Sequence, residues 1–113
     1  MVRMLIPNAD SAIIEEQKLV DYLLNIDHRR GGSKAALLRQ FGYDPARWQR
    51  LADDLRRSHL TAQVERTRPT PYGMRYEVRA DLQTPAGRPL TVRSVWQLDT
   101  GSTAPRLITR YPD

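Results

Sequence analysis

The feature that most constrains this chain is a change of hydrophobic period near its middle. Met74, Tyr76, Val78, Ala80 and Leu82 alternate with polar residues in one run, and Leu90, Val92, Trp96 and Leu98 do so in the next. A period of two places these side chains on one face of a pair of strands. The segment TPAGRP between the runs is turn chemistry, so the two strands are expected to be antiparallel neighbours. Ser94 is the polar exception on the apolar parity. The opposite parity carries Arg75, Glu77, Arg79 and Asp81 beside Thr91, Arg93, Val95 and Gln97, a mostly polar, guanidinium-rich face on which a ligand is expected. Shorter runs at 61–67 and 106–111, joined by RPTPYG and DTGSTAP, extend the pair to four strands with the central ones at 74–83 and 90–98.

Ahead of the strands the spacing is helical. Leu19, Tyr22, Leu23 and Ile26 place a helix over 15–25 with acids in its first turn, where the helix dipole favours them. Gly31 and Gly32 break it, Ser33 is expected to cap a second helix from Lys34 to Phe41, and Gly42 supplies a left-handed stop. Asp44 and Pro45 open a third helix to about Ser58, with Trp48, Leu51, Ala52 and Leu55 inward and Arg47, Arg50, Arg56 and Arg57 outward. The reading is one α+β domain over 1–113. Helices at about 15–58 pack on one face of a four-stranded antiparallel meander at about 61–111.

Composition narrows the chemistry. With 113 residues there is room for one modest core. No apolar run approaches the roughly 18 residues that span a bilayer, and the start is too polar for a secretory signal, so a cytoplasmic protein without membrane contact is expected. The absence of cysteine removes disulfides, thiolate metal sites and a thiol nucleophile. Both histidines, His28 and His59, lie far apart, and the paired acids Glu15/Glu16 and Asp53/Asp54 point in different directions on a helix, so neither a metal nor a cofactor is expected. Gly31 and Gly32 before Ser33 and Lys34 lack the strand and spacing of a phosphate loop. The 18 basic residues against 13 acidic ones give a net charge of +5, and all but Lys18 and Lys34 are arginine. That excess suits a polyanion, because guanidinium presents a rigid fork of donors to phosphate, although a GC-rich genome produces the same bias.

The segment HRRGGSK gathers His28, Arg29, Arg30 and Lys34 at the start of a helix, where free amides also favour an anion. RNA cleavage needs little more. The ribose 2′-hydroxyl is the nucleophile, so the protein has to accept its proton, protonate the leaving oxygen and stabilise charge on phosphorus. His28 is the candidate proton carrier and His59 a lesser one. Lys34, Arg93 and Arg106 are candidate phosphate ligands, with Arg79, Arg29 and Arg30 as further substrate contacts. Tyr72 and Thr109 are candidate hydrogen-bond donors at the scissile group. Each also has an ordinary structural reading: a histidine after a helix end satisfies loose carbonyls, a tyrosine between Pro71 and Gly73 closes a turn, and strand arginines are solvated. Trp48 and Trp96 read as core anchors rather than base-stacking platforms.

Across almost the whole chain, the series MLIPNAD, KLVDYLL, HRRGGSKAALLRQFGY, TPYGMRYEV, VRSVWQL and PRLITRYP resembles an uncharacterised bacterial domain family. Its members occur free-standing and as C-terminal tips of contact-dependent inhibition and other polymorphic toxins. The family is distantly similar to the barnase, EndoU, colicin and RelE ribonuclease group, in which helices precede a four-stranded antiparallel sheet that binds RNA. The family pattern is matched by His28, Gly31 or Gly32, Lys34 and Ala35 at the second helix and by Tyr72 and Gly73 before the second strand. It is matched again by Arg93, Ser94 and Trp96 on the third strand, and by Arg106, Leu107 and Thr109 on the last. Two positions depart from it, with Arg29 in place of proline and Ser94 in place of threonine. The resemblance implies a metal-independent endoribonuclease toxin acting on tRNA or mRNA, with a cognate antitoxin or immunity protein as partner. The alternative is a non-catalytic RNA-binding or antitoxin-like module. The exposed edge of a sheet also admits a homo-oligomer.

Overall fold

The structure is a computed structural model that describes residues 4–20 and 32–112, with side chains outside 32–34 and 109–112. Its described helices are α1 (Glu16–Lys18), α2 (Gly32–Gln40) and α3 (Trp48–Ser58), followed by strands β1 (Arg66–Thr70), β2 (Gly73–Gln83), β3 (Pro89–Asp99) and β4 (Arg106–Pro112). The strands form one antiparallel sheet in the order β1-β2-β3-β4, the meander that the short connections imply. This is the α+β arrangement expected from the change of period.

The alternation on β2 and β3 faces the helices as predicted. Tyr76, Val78, Leu82, Val92 and Trp96 are buried there with Leu51, Ala52 and Leu55 of α3, which packs over β2. Removing a fully buried aromatic such as Trp96, which is 0% exposed, costs about 3–5 kcal/mol in comparable cores. Register sets this face. Tyr76 lies opposite Trp96, Val78 opposite Ser94 and Leu82 opposite Leu90, so one slip would turn the whole apolar set outward.

Several boundaries differ from the sequence reading, each for a local reason. The first strand begins at Arg66 rather than 61, because Ala62 N–H bonds to His59 O and Val64 N–H to Met4 O, which commits that stretch to a turn and to the N-terminal segment. It then runs through Pro69, which an edge strand tolerates because one side of it carries no ladder. The second helix begins at Gly32, so Ser33 sits in its first turn rather than ahead of it as a cap. Glycine costs little at a helix end compared with its interior. The third helix is split into a 3-10 turn, Pro45–Arg47, and α3. Asp44 caps the turn as expected, its Oδ1 accepting from Ala46 N–H at 2.9 Å. The helix predicted over 15–25 is described only to residue 20, and Tyr22, Leu23, Ile26, Asp27 and Gly31 lie outside the described residues.

Two connections lock the helices to the sheet. Gly42 has φ +99 and approaches Pro85, where a Cβ would meet the proline's own Cβ at 2.9 Å. Ala86 N–H beside it bonds to Phe41 O, so the end of α2 is docked on the β2–β3 turn. On the same side the buried carboxylate of Asp54 accepts from Tyr43 Oη–H at 2.6 Å and from Arg50 Nε at 3.0 Å, and Arg50 also reaches Gln83 O. At the other end of the sheet Ile13 bridges Arg106 in parallel, its N–H bonding to Pro105 O and its carbonyl accepting from Leu107 N–H. The N-terminal segment thereby covers the start of the β4 edge.

Candidate nucleic-acid interface

Residues paired across antiparallel strands share a face, so the register assembles the outer surface of the sheet into rows. Arg68, Arg75, Gln97 and Arg106 form one row. Arg66, Glu77 and Val95 form the next, with Thr109 at the register position opposite Val95. Arg79 and Arg93 face each other in a third. Each row is set by ordinary strand pairing, and the arginines share the face because they occupy the parity that the core does not use.

This face is charged but not loosely so. Arg93 is largely covered, with 15% side-chain exposure, and pairs with Glu65 at 3.0 Å and Glu77 at 3.5 Å. Arg106 Nε meets Asp99 Oδ2 at 3.0 Å, and Arg75 Nε donates to Gln97 Oε1 at 2.9 Å. The long side chains lie over their neighbours, which leaves Glu77, Val95 and Gln97 buried on a surface expected to be open. Among the described residues six arginines (66, 68, 75, 79, 93, 106) stand against the four carboxylates of Glu65, Glu77, Asp81 and Asp99. The face is therefore net positive, and its half-exposed Arg106–Asp99 pair is of the weak kind that a phosphate can replace, whereas Arg93 is held in a largely covered pair with Glu77.

The candidate residues fall into three groups. Arg79, Arg93 and Arg106 lie on this one face, and the backbone of Thr109 sits between them in register. Tyr72 lies elsewhere, in the β1–β2 turn and 74% exposed. Gly73 and Arg79 are six residues apart along β2, about 20 Å at roughly 3.3 Å per residue, so the phenol stands at the sheet end and not beside Arg93. His28, Arg29 and Arg30 lie outside the described residues, and Lys34 is placed by its backbone in the first turn of α2.

His59, the lesser candidate, is structural. It is 0% exposed, with Nε2 3.1 Å from Ala80 O and Nδ1 2.7 Å from Ser94 Oγ. A carbonyl oxygen only accepts, so Nε2 carries a proton, and in that tautomer of the neutral ring Nδ1 would accept from the Ser94 hydroxyl. Ser94 Oγ in turn accepts from Trp96 Nε1–H at 2.8 Å. Both ring nitrogens, the hydroxyl and the indole N–H thus have partners, which explains the polar residue on the apolar parity. The partnership was not legible in the sequence, because His59 and Ser94 are 35 residues apart.

Among the described residues no group of three His, Asp or Glu side chains is placed to hold a metal ion, and no helix is long and apolar enough to cross a membrane.

Comparison with known proteins bears on the architecture. A chain of a contact-dependent growth inhibition toxin–immunity protein complex from Klebsiella pneumoniae 342 shares the fold, with a TM-score of 0.72 over 93% of this chain and 96% of that one, at 18% sequence identity. No curated protein matches the sequence. The sequence itself matches a family model over residues 5–113, from the N-terminal segment through β4, and the chain belongs to that family, DUF6883, a domain of unknown function.

Proposed function

We propose that this chain is the toxin-side member of a bacterial toxin–immunity pair and that it cleaves RNA without a metal ion. The observation that carries the reading is the guanidinium-lined outer face of the sheet, held by a chain of net charge +5 in a fold shared with a member of a toxin–immunity complex. A protein that neutralises a nuclease competes with RNA for a basic surface and so presents negative charge to it. A pI near 10.1 suits the opposite role.

In this reading His28 accepts the proton of a ribose 2′-hydroxyl. The 2′-oxygen forms its bond to phosphorus, the bond to the 5′-oxygen breaks, and that oxygen takes a proton, leaving a 2′,3′-cyclic phosphate and a 5′-hydroxyl. Lys34, Arg93 and Arg106 neutralise the phosphorane, Arg79, Arg29 and Arg30 hold flanking phosphates, and Thr109 donates a hydrogen bond to the scissile group, while Tyr72, at the sheet end away from Arg93, meets a neighbouring nucleotide rather than the reacting phosphate. The substrate is tRNA or mRNA, met in the cytoplasm, and a cognate immunity protein or antitoxin covers the face when the toxin is silent. Incubation of the purified chain with total RNA in EDTA tests this. Fragments ending in 2′,3′-cyclic phosphate, abolished by His28→Ala, are the expected result, and intact RNA across a range of concentrations sinks it.

One observation favours a second reading, in which the face binds RNA or an acidic partner without cutting. The guanidiniums of Arg93 and Arg106 already have carboxylate partners, and the one histidine among the described residues is fully buried. Expression in a bacterial host separates the two. A toxin arrests growth and is rescued by a neighbouring open reading frame, whereas a binding or immunity module is tolerated.

A further inference from the structure

At the β1–β2 end of the sheet lies a pocket of about 420 Å³, lined among others by Pro69, Thr70, Met74, Leu98, Asp99 and Ser102. Its apolar wall is one cross-strand row, with Pro69 opposite Met74 and Met74 opposite Leu98. The row has the same inward parity as Tyr76 and Trp96, yet Met74 and Leu98 remain only partly buried where those two are 6% and 0% exposed. The volume falls within the roughly 300–1,000 Å³ of small-ligand sites.

The opposite wall is polar and already held in place. Ser102 N–H bonds to Asp99 O, Thr100 N–H to Tyr72 O, and Thr70 Oγ–H to Gly73 O at 2.7 Å. Gly73, at φ +143, lets the turn come against β3, since a Cβ there would stand 2.2 Å from Leu98 O. Asp99 joins the pocket to the guanidinium face. Its Oδ2 pairs with Arg106, and Arg106 lies opposite Gln97 in the row of Arg68 and Arg75, two residues along β3 from Asp99.

A flat heterocycle with apolar faces and a hydrogen-bonding edge matches this lining. A thioether and a leucine offer contact to the ring. A carboxylate has about four lone-pair sites, so Asp99 keeps acceptor capacity beyond its ion pair and can take an exocyclic amino hydrogen, as acidic side chains do from cytosine N4. Tyr72, carried by the same turn and 74% exposed, supplies an aromatic surface of the kind on which unpaired bases stack. We infer that the pocket is a nucleobase subsite, taking the amino-bearing base of a nucleotide whose phosphate rests on Arg106 and its row. The inference rests on the outer face being an RNA-binding surface.

Nuclear magnetic resonance of the full chain with the four ribonucleoside 5′-monophosphates, and with ribose 5-phosphate as the baseless control, tests it. AMP, CMP or GMP is expected to shift the Met74 and Leu98 methyl signals and the Thr100 and Ser102 amides, binding at least fivefold tighter than UMP and ribose 5-phosphate. Thr100→Trp, a filling change at an exposed lining position, is expected to abolish those shifts. If the variant does not fold, the wild-type comparison among nucleotides decides alone. Equal shifts from ribose 5-phosphate overturn the inference. So do nucleotide shifts confined to Arg75, Arg79 and Arg93, or a neutralising protein that buries Met74 and Leu98 where nucleotides leave them unmoved. In those three cases RNA cleavage stands or falls by its own assay. Pocket shifts in a chain that never cuts RNA would support the subsite and sink the nuclease.

Discussion

The two faces of the sheet both bury polar groups and handle them in opposite ways. Toward the helices, Trp96, Ser94, His59 and Ala80 pass one hydrogen bond to the next, and the side chains of Trp96, Ser94 and His59 are buried away from any ligand. On the outer face, Arg93 and Arg106 meet carboxylates that are themselves 37–45% exposed or, in the case of Glu77, pressed under the arginine. A buried network is costly to interrupt, because each orphaned group forfeits its solvation. A half-exposed ion pair is worth little and exchanges readily. The inner face therefore serves stability, and the outer one remains available for recognition where its pairs are half-exposed, as at Arg106 and Asp99.

The largest effect that would sharpen this contrast is Trp96→Ala, expected to cost about 3–5 kcal/mol in urea denaturation, a large share of the about 5–15 kcal/mol that ordinary domains have. Ser94→Ala orphans His59 Nδ1 and Trp96 Nε1 together and is expected to cost about 1–3 kcal/mol, with RNA affinity of the folded fraction unchanged. A loss of RNA binding without a loss of stability would break the division between the faces.

Arg79→Ala and Arg106→Ala reverse the pattern. Stability should move by less than about 1 kcal/mol, while each lost phosphate contact should lower the slope of log affinity against log salt by about 0.7 for a single strand. The smallest change is expected from Glu65→Gln. It removes the exposed partner of Arg93 and is predicted to tighten RNA binding a few-fold with stability unchanged, measured by filter binding at fixed salt. Weaker binding would mean that Glu65 positions Arg93 rather than competing for it.

Much of this layout is legible residue by residue. Val78, Leu82, Val92 and Trp96 announce the inner face by alternation alone, and Asp44 with Pro45 marks a helix entry, because both signals are local. The start of β1 is not legible, since residues 61–64 alternate well enough for a strand and only the bonds of Ala62 to His59 and of Val64 to Met4 divert them, while Glu65 N–H already bonds to Glu77 O. The candidate site divides in the same manner. Its outward arginines follow from parity, but the carboxylates that occupy them and the distance separating Tyr72 from Arg93 do not.

The amino-acid sequence by itself determined which side chains share a face, because strand and helix periods are properties of neighbouring residues. Only the tertiary structure decided which partners those side chains meet. Ser94 found His59 across 35 residues, and Arg93 found Glu65 across 28. Such contacts depend on how separate elements come together in space, and no local period encodes that.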